Sequence, residues 1–157
     1  MPTWPATRPV FRPSCSRPPS RRRATPDCTS VWAAVRHLGA ERIGHGVRSV
    51  EDPALLEHLA KRGITLDVAL TSNTQTGASP SLRDHQIHAL LAAGVPVTIN
   101  TDDPRVSNVT LSQEHRTAVD EVGLTPEQLL AVAEQSVRAA FTDLGTVESW
   151  PSSTRQP

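Results

Sequence analysis

Asp52-Pro53-Ala54-Leu55-Leu56-Glu57-His58-Leu59-Ala60-Lys61-Arg62-Gly63-Ile64-Thr65-Leu66-Asp67-Val68-Ala69-Leu70 is the stretch that decides the fold. Asp52 can accept first-turn N–H groups, and Pro53 fits a first helical position where no donor is needed. The amphipathic run Pro53–Arg62 therefore predicts a helix, closed by Gly63 in a left-handed conformation. Thr65–Leu70, rich in β-branched and apolar residues, predicts a strand.

The same phrase of helix, glycine and strand occurs on either side. Upstream it reads Ser30–Leu38, Gly39, Arg42–Ile43; downstream it reads Leu82–Ala93, Gly94, Val97–Thr101. Alternation of this kind predicts parallel strands with covering helices, because parallel neighbours need a long crossover. Two more helices are expected over Leu111–Val122 and Pro126–Phe141, the latter opened by the capping box Thr125-Pro126-Glu127-Gln128.

The 157 residues hold sixteen basic and sixteen acidic side chains, so no net field selects a polyanionic or polycationic partner. The balance is uneven along the chain. Residues 1–26 carry six arginines, no acid and seven of the fourteen prolines; residues 27–157 hold ten basic against sixteen acidic side chains, a net charge of −6. Without apolar periodicity, residues 1–28 are expected to be a disordered Pro/Arg-rich arm. Residues 29–144 are expected to form one folded unit and 145–157 an irregular tail. No apolar run suits a membrane span or a secretory leader, so a soluble, cytoplasmic chain is expected. Cys15 and Cys28 fall in the least structured part and form no C-x-x-C pair, which excludes a disulfide framework and an all-cysteine zinc site.

Each predicted strand runs into a polar cluster: Gly44-His45-Gly46, Thr71-Ser72-Asn73 and Asn100-Thr101-Asp102-Asp103-Pro104. In parallel α/β folds the carboxyl ends of strands are where ligands bind. His45 could project into a pocket, or could be a turn residue bonded to a nearby carbonyl. Asp102 and Asp103 should point to different sides, one toward a cation and one toward a ligand; alternatively one of them caps the turn before Pro104. Ser72 and Asn73 read as ordinary turn residues. His85 and His88, three apart near a helix start, read as a solvated helix face, and His37, His58 and His115 belong to no pattern. The arginine arm, with Trp4 and Phe11, offers an alternative role in contacting nucleic acid, although no nucleic-acid partner is expected.

In register, Arg42-Ile43-Gly44-His45-Gly46, Thr71-Ser72-Asn73-Thr74-Gln75-Thr76-Gly77-Ala78 and Asn100-Thr101-Asp102-Asp103-Pro104 closely resemble the last third of adenosine deaminase, from about Ser30 to Phe141. The resemblance implies a partial (β/α)8 TIM-type barrel of about three parallel strands with covering helices. It implies hydrolytic deamination of adenosine or deoxyadenosine to the inosine compound and ammonia, with zinc as the family's cofactor. By position, Asp102 would be a carboxylate metal ligand, Asp103 would hydrogen-bond the purine N7, and His45 would sit beside the attacking water, stabilising its charge or helping to deprotonate it.

The family's His-x-His pair and His-Ala-Gly-Glu segment do not occur: no two of the six histidines lie two residues apart. One carboxylate does not hold a catalytic zinc, which takes about three protein ligands and an open position. A whole barrel takes about 250 residues. The sequence thus reads as the carboxyl-terminal part of such a barrel, inactive by itself, with strand edges open to self-association.

Overall fold

The structure, a computed structural model, describes residues 26–141; most of the expected basic arm and all of the expected tail lie outside these residues. Three strands, β1 (Arg42–Gly44), β2 (Thr65–Val68) and β3 (Val97–Ile99), form a parallel sheet in the order β1-β2-β3. Seven helices accompany them: α1 (Pro26–Leu38), α2 (Pro53–Arg62), α3 (Leu70–Gln75), α4 (Ile87–Ala92), α5 (Pro104–Ser107), α6 (Leu111–Thr117) and α7 (Pro126–Arg138). A 3-10 turn spans Val47–Glu51, and α6 runs on as a π-helical turn over Ala118–Val122.

Register divides the sheet into two faces. Ile43 stands opposite Leu66, Leu66 opposite Val97, and Val68 opposite Ile99, so alternation puts five apolar side chains on one face. All five are buried, together with Leu55 and Leu59 of α2, Ile87 and Leu90 of α4, and Val31 of α1. Full burial of each such side chain contributes about 1.5–3 kcal/mol.

The other face is polar. Asp67 on β2 joins its neighbours sideways: its Oδ2 accepts from Arg42 Nη2 at 2.6 Å and its Oδ1 from Thr98 Oγ1 at 2.7 Å. The end of α7 closes over this row, with Gln135 donating to Thr65 Oγ1 and Arg42 donating to the Ala139 carbonyl. A row of satisfied polar groups on one sheet face is tolerated because each buried donor has an acceptor.

The helix that the sequence marks most strongly, Pro53–Arg62, has the expected bounds. Asp52 Oδ1 caps it by accepting from Ala54 and Leu55 N–H at 3.0 and 3.2 Å, Asp52 Oδ2 accepts from the Trp32 indole at 2.9 Å, and Gly63 closes it at φ 64°. Other bounds differ. α1 begins at Pro26, ahead of the expected Ser30, because Cys28, Val31 and Ala34 form one buried stripe; Cys28 belongs to the core and its Sγ donates to the Arg48 carbonyl at 3.3 Å. β2 stops at Val68, and Leu70, expected in the strand, opens α3. Only Ile87–Ala92 of the expected 82–93 helix is helical. β3 ends at Ile99, two residues before the expected Thr101, and α7 ends at Arg138 rather than Phe141.

At the carboxyl end of β1, Gly46 adopts φ +65°, and a Cβ there would stand 3.0 Å from Leu66 Cδ2 and 3.3 Å from Ile43 Cγ2. Gly46→Ala combines left-handed strain with overpacking, and should lower unfolding stability by about 1–3 kcal/mol. A shift of the urea midpoint at unchanged slope measures it; an unshifted midpoint contradicts this packing.

Candidate functional site

The carboxyl ends of the three strands converge on a cavity of about 270 Å³ whose lining includes His45, Gly46, Ser72, Asn73, Thr76 and Asp102. His45 follows β1 directly. Its N–H donates to the Asp67 carbonyl at 2.8 Å, extending the ladder by one bond, and its φ of 63° swings the side chain out of the strand direction. Asp102 also holds a left-handed backbone, φ 58°, three residues past β3. Non-glycine residues in this region are uncommon, and their clustering at a pocket rim marks it as a place where the fold tolerates strain. His45 Nε2 and Asp102 Oδ2 face each other at 3.6 Å, the range of an ion pair rather than a hydrogen bond.

Between these two rims stands α3, which carries the residues expected to be a turn. Ser72 Oγ donates to Asp102 Oδ2 at 2.9 Å. Asn73 is fully buried: its Oδ1 is 2.7 Å from His45 Nδ1 and its Nδ2 is 3.2 Å from His85 Nε2. Ser72 and Asn73 are therefore helical residues that bind the rims together, and the expected turn is not formed. The cause lies elsewhere in the chain. Ala69 gives α3 no side-chain cap, whereas the wholly buried Glu114 of α6 accepts from the Leu70 N–H at 2.8 Å and the Thr71 N–H at 3.2 Å. A carboxylate at a helix amino terminus satisfies donors that no local residue reaches.

His85 is a second correction. Expected on a solvated helix face, it is only 3 % exposed, packed against Asn73 with its Nδ1 accepting from the Ile87 N–H at 3.1 Å. Burial pushes its pKa down from 6.5 to about 4, with the positive charge of nearby His88 as a smaller cause. His88 itself is exposed, its Nε2 against the Val122 carbonyl at 2.9 Å. Gln86 donates to the Ala78 carbonyl at 3.0 Å and accepts from Ser79 Oγ, which fixes the loop that delivers His85.

Asp103 is exposed and stands outside the cavity lining. Its Oδ1 accepts from Arg105 and Val106 N–H at 2.9 and 3.1 Å, capping α5, one of the two uses the sequence allowed for the Asp pair. Among the described residues no group of three or more His, Cys, Asp and Glu side chains is placed to hold a metal ion. Asp102 with His45 beside it offers too few donors for a catalytic zinc, so the residues present do not fit that ion. A larger cavity, about 740 Å³, opens at the amino ends of the strands, where Arg36, Arg42, Arg62 and Arg138 gather; it lies away from the rim carrying His45 and Asp102. Among the described residues no helix is long and apolar enough to cross a membrane.

The family model described as adenosine deaminase matches residues 24–148. The adenosine deaminase of Serratia proteamaculans is 46% identical over 112 residues, which cover 71% of this chain and 34% of that protein; that of Aliivibrio fischeri is 47% identical over the same span. The chain thus spans about a third of the length of the curated relatives it matches. Among solved structures, an adenine deaminase from Arthrobacter aurescens matches with a TM-score of 0.71 and 28% identity, covering 73% of this chain and 35% of that one. A cog1816 amidohydrolase from Burkhoderia ambifaria with bound Zn matches at 0.67 and 27%, covering 73% and 32%. An N6-methyl-AMP deaminase from Arabidopsis thaliana matches at 0.64 and 28%, covering 73% and 33%. These neighbours are amidohydrolases of the TIM-barrel type, and the three parallel strands with their helices are part of such a barrel.

The buried His85 makes stability depend on pH. Its folded-state pKa lies below the unfolded value, so the unfolded chain binds the extra proton between about pH 6.5 and 4. Stability is full above about 6.5 and falls as pH drops toward 4, by roughly 2–3 kcal/mol. In His85→Gln this part of the acid limb should vanish in denaturation curves taken across that window. An unchanged limb contradicts the burial of His85.

Proposed function

Because the chain belongs to the adenosine deaminase family, we propose that it carries the carboxyl-terminal side of a purine-nucleoside deaminase pocket, in which adenosine or deoxyadenosine is hydrolysed to the inosine compound and ammonia. The single observation that carries this reading is the convergence of His45 and Asp102, 3.6 Å apart, on one cavity at the carboxyl rim of parallel strands. In a completed pocket His45 would stand at the side of the attacking water, and Asp102 would be one carboxylate donor toward a metal whose other donors this chain does not supply. Ser72 holds Asp102 in place through its hydroxyl. Asp103 is assigned to the purine N7. N7 of neutral adenine is an acceptor, so that hydrogen bond needs a shared proton, and the carboxyl oxygen not engaged in capping α5 is the one available to it.

The 157 residues are proposed to be incomplete for turnover alone. They hold no His-x-His pair and no His-Ala-Gly-Glu segment, so neither the remaining metal donors nor the glutamate that would move a proton to N1 is supplied. A second polypeptide segment would have to provide them.

The purified chain, given zinc and adenosine, should leave the adenosine absorbance unchanged. Adding a separate polypeptide bearing the amino-terminal part of a bacterial relative should produce turnover. Asp102→Asn in this chain should reduce that turnover by about 10²-fold or more. Deamination by the purified chain alone, or complemented turnover indifferent to Asp102→Asn, contradicts the proposal.

A further inference from the structure

The cavity at the amino ends of the strands has no part in the chemistry assigned above. We propose that it binds the phosphate group of a small molecule, gripped by Arg36, Arg62 and Arg138 over a floor that includes Arg42.

Charge is the first reason. Residues 27–157 hold sixteen acidic side chains against ten basic ones, yet four of those ten line this one cavity, and Glu41 is the single carboxylate among its described lining residues. Size is the second. At about 740 Å³ the cavity falls within the span of small-molecule sites, roughly 300–1,000 Å³.

Arginines at helix carboxyl ends commonly do no more than complement the dipole, and α1, α2 and α7 all end beside this cavity. Here backbone groups have taken the carbonyls of those ends. The Ala40 N–H donates to the Ala34 carbonyl, the Gly63 and Ile64 N–H groups to those of Ala60 and Leu59, and the Ala139 and Ala140 N–H groups to those of Gln135 and Val137. Of the four arginines only Arg42 donates to a backbone carbonyl of a described residue, that of Ala139 at 3.1 Å. The other three guanidinium groups are not consumed as caps.

Their remaining contacts leave N–H groups to spare. Asp67 fixes Arg42 at 2.6 Å, and Glu134 meets Arg138 through one nitrogen at 3.1 Å. Arg36 lies flat over the Trp32 ring, its guanidinium carbon 3.8 Å from the centroid, so its face is occupied and its N–H edge is open. Arg62 makes no hydrogen bond or ion pair with a described residue. Two guanidinium groups without a carboxylate bound to them, beside two that carboxylates hold in place, match a dianion with several acceptor oxygens, which is a phosphate monoester at neutral pH. The Phe141 ring, 39 % exposed and 5.2 Å from the Arg42 guanidinium carbon, gives an apolar surface for the organic part of such a molecule. The site stands whichever reaction the opposite rim performs.

Backbone amide spectra of the full chain, titrated at pH 7.5 with inorganic phosphate or with AMP at constant ionic strength, test the proposal. The signals of Gly39 and Gly63, which line this cavity, should move and saturate. Arg62→Gln should weaken both titrations by about tenfold, the loss of one charge-assisted contact. Glu41→Gln should tighten them by about two- to threefold by removing the one carboxylate from the lining. AMP bound more tightly than phosphate assigns the site to phosphorylated small molecules, and equal affinities assign it to the free ion; both uphold a phosphate site. Shifts that chloride reproduces at equal ionic strength overturn it, as do affinities unchanged in Arg62→Gln. AMP shifts confined to Gly46 and Gly77, which line the cavity of His45 and Asp102, overturn it too.

Discussion

A carboxylate with no access to solvent holds the site together. Glu114 reaches from α6 to the first two N–H groups of α3, and α3 is the element that faces both rims of the cavity. Through Ser72 it meets Asp102 after β3, and through Asn73 it meets His45 after β1. Removing one partner of such a contact leaves buried donors unpaired, a cost of about 1–3 kcal/mol. Here the loss would fall on the turn that carries two site residues. The parallel register brings the strand ends level; Glu114 determines what stands between them.

How much of this is legible in the sequence follows from how local each cause is. Pro53–Arg62 carries both its start signal, Asp52-Pro53, and its stop signal, Gly63, and the helix is found where they put it. The same locality marks the capping box at Thr125, although the other end of α7 frays earlier than the pattern suggests. Thr71-Ser72-Asn73 has the composition of a turn, and becomes helix because its cap is supplied from 43 or more residues away. One signal for this was present: Glu114, Ala118 and Val122 are spaced by four and share a buried stripe, so a carboxylate was sitting on an apolar face. Nothing local marks the contact of Asn73 with His45, separated by 28 residues, or the burial of His85. The meeting of His45 and Asp102 at one cavity is legible because both follow strands of a parallel sheet, and because their motifs keep the family's order.

The donor inventory sets the bounds of the chemistry. The described residues bring one carboxylate, one imidazole and the Arg48 side chain to the cavity, with the Ser72 and Thr76 hydroxyls and the Asn73 amide beside them. That set can bind, orient and place a proton. It does not make a catalytic metal centre, and the chain spans about a third of relatives that carry the family name. A barrel distributes its catalytic groups over the ends of several strands, so a part with three strands holds a corresponding part of the site.

Native-state hydrogen exchange at the Leu70 and Thr71 amides tests the central claim most directly. Bound to the buried Glu114 carboxylate, both amides should be protected to the same degree as those of β2, and Glu114→Ala should release both while shifting the side-chain amide signal of Asn73. Exchange of Leu70 and Thr71 at the rate of exposed amides in the unsubstituted chain would contradict it.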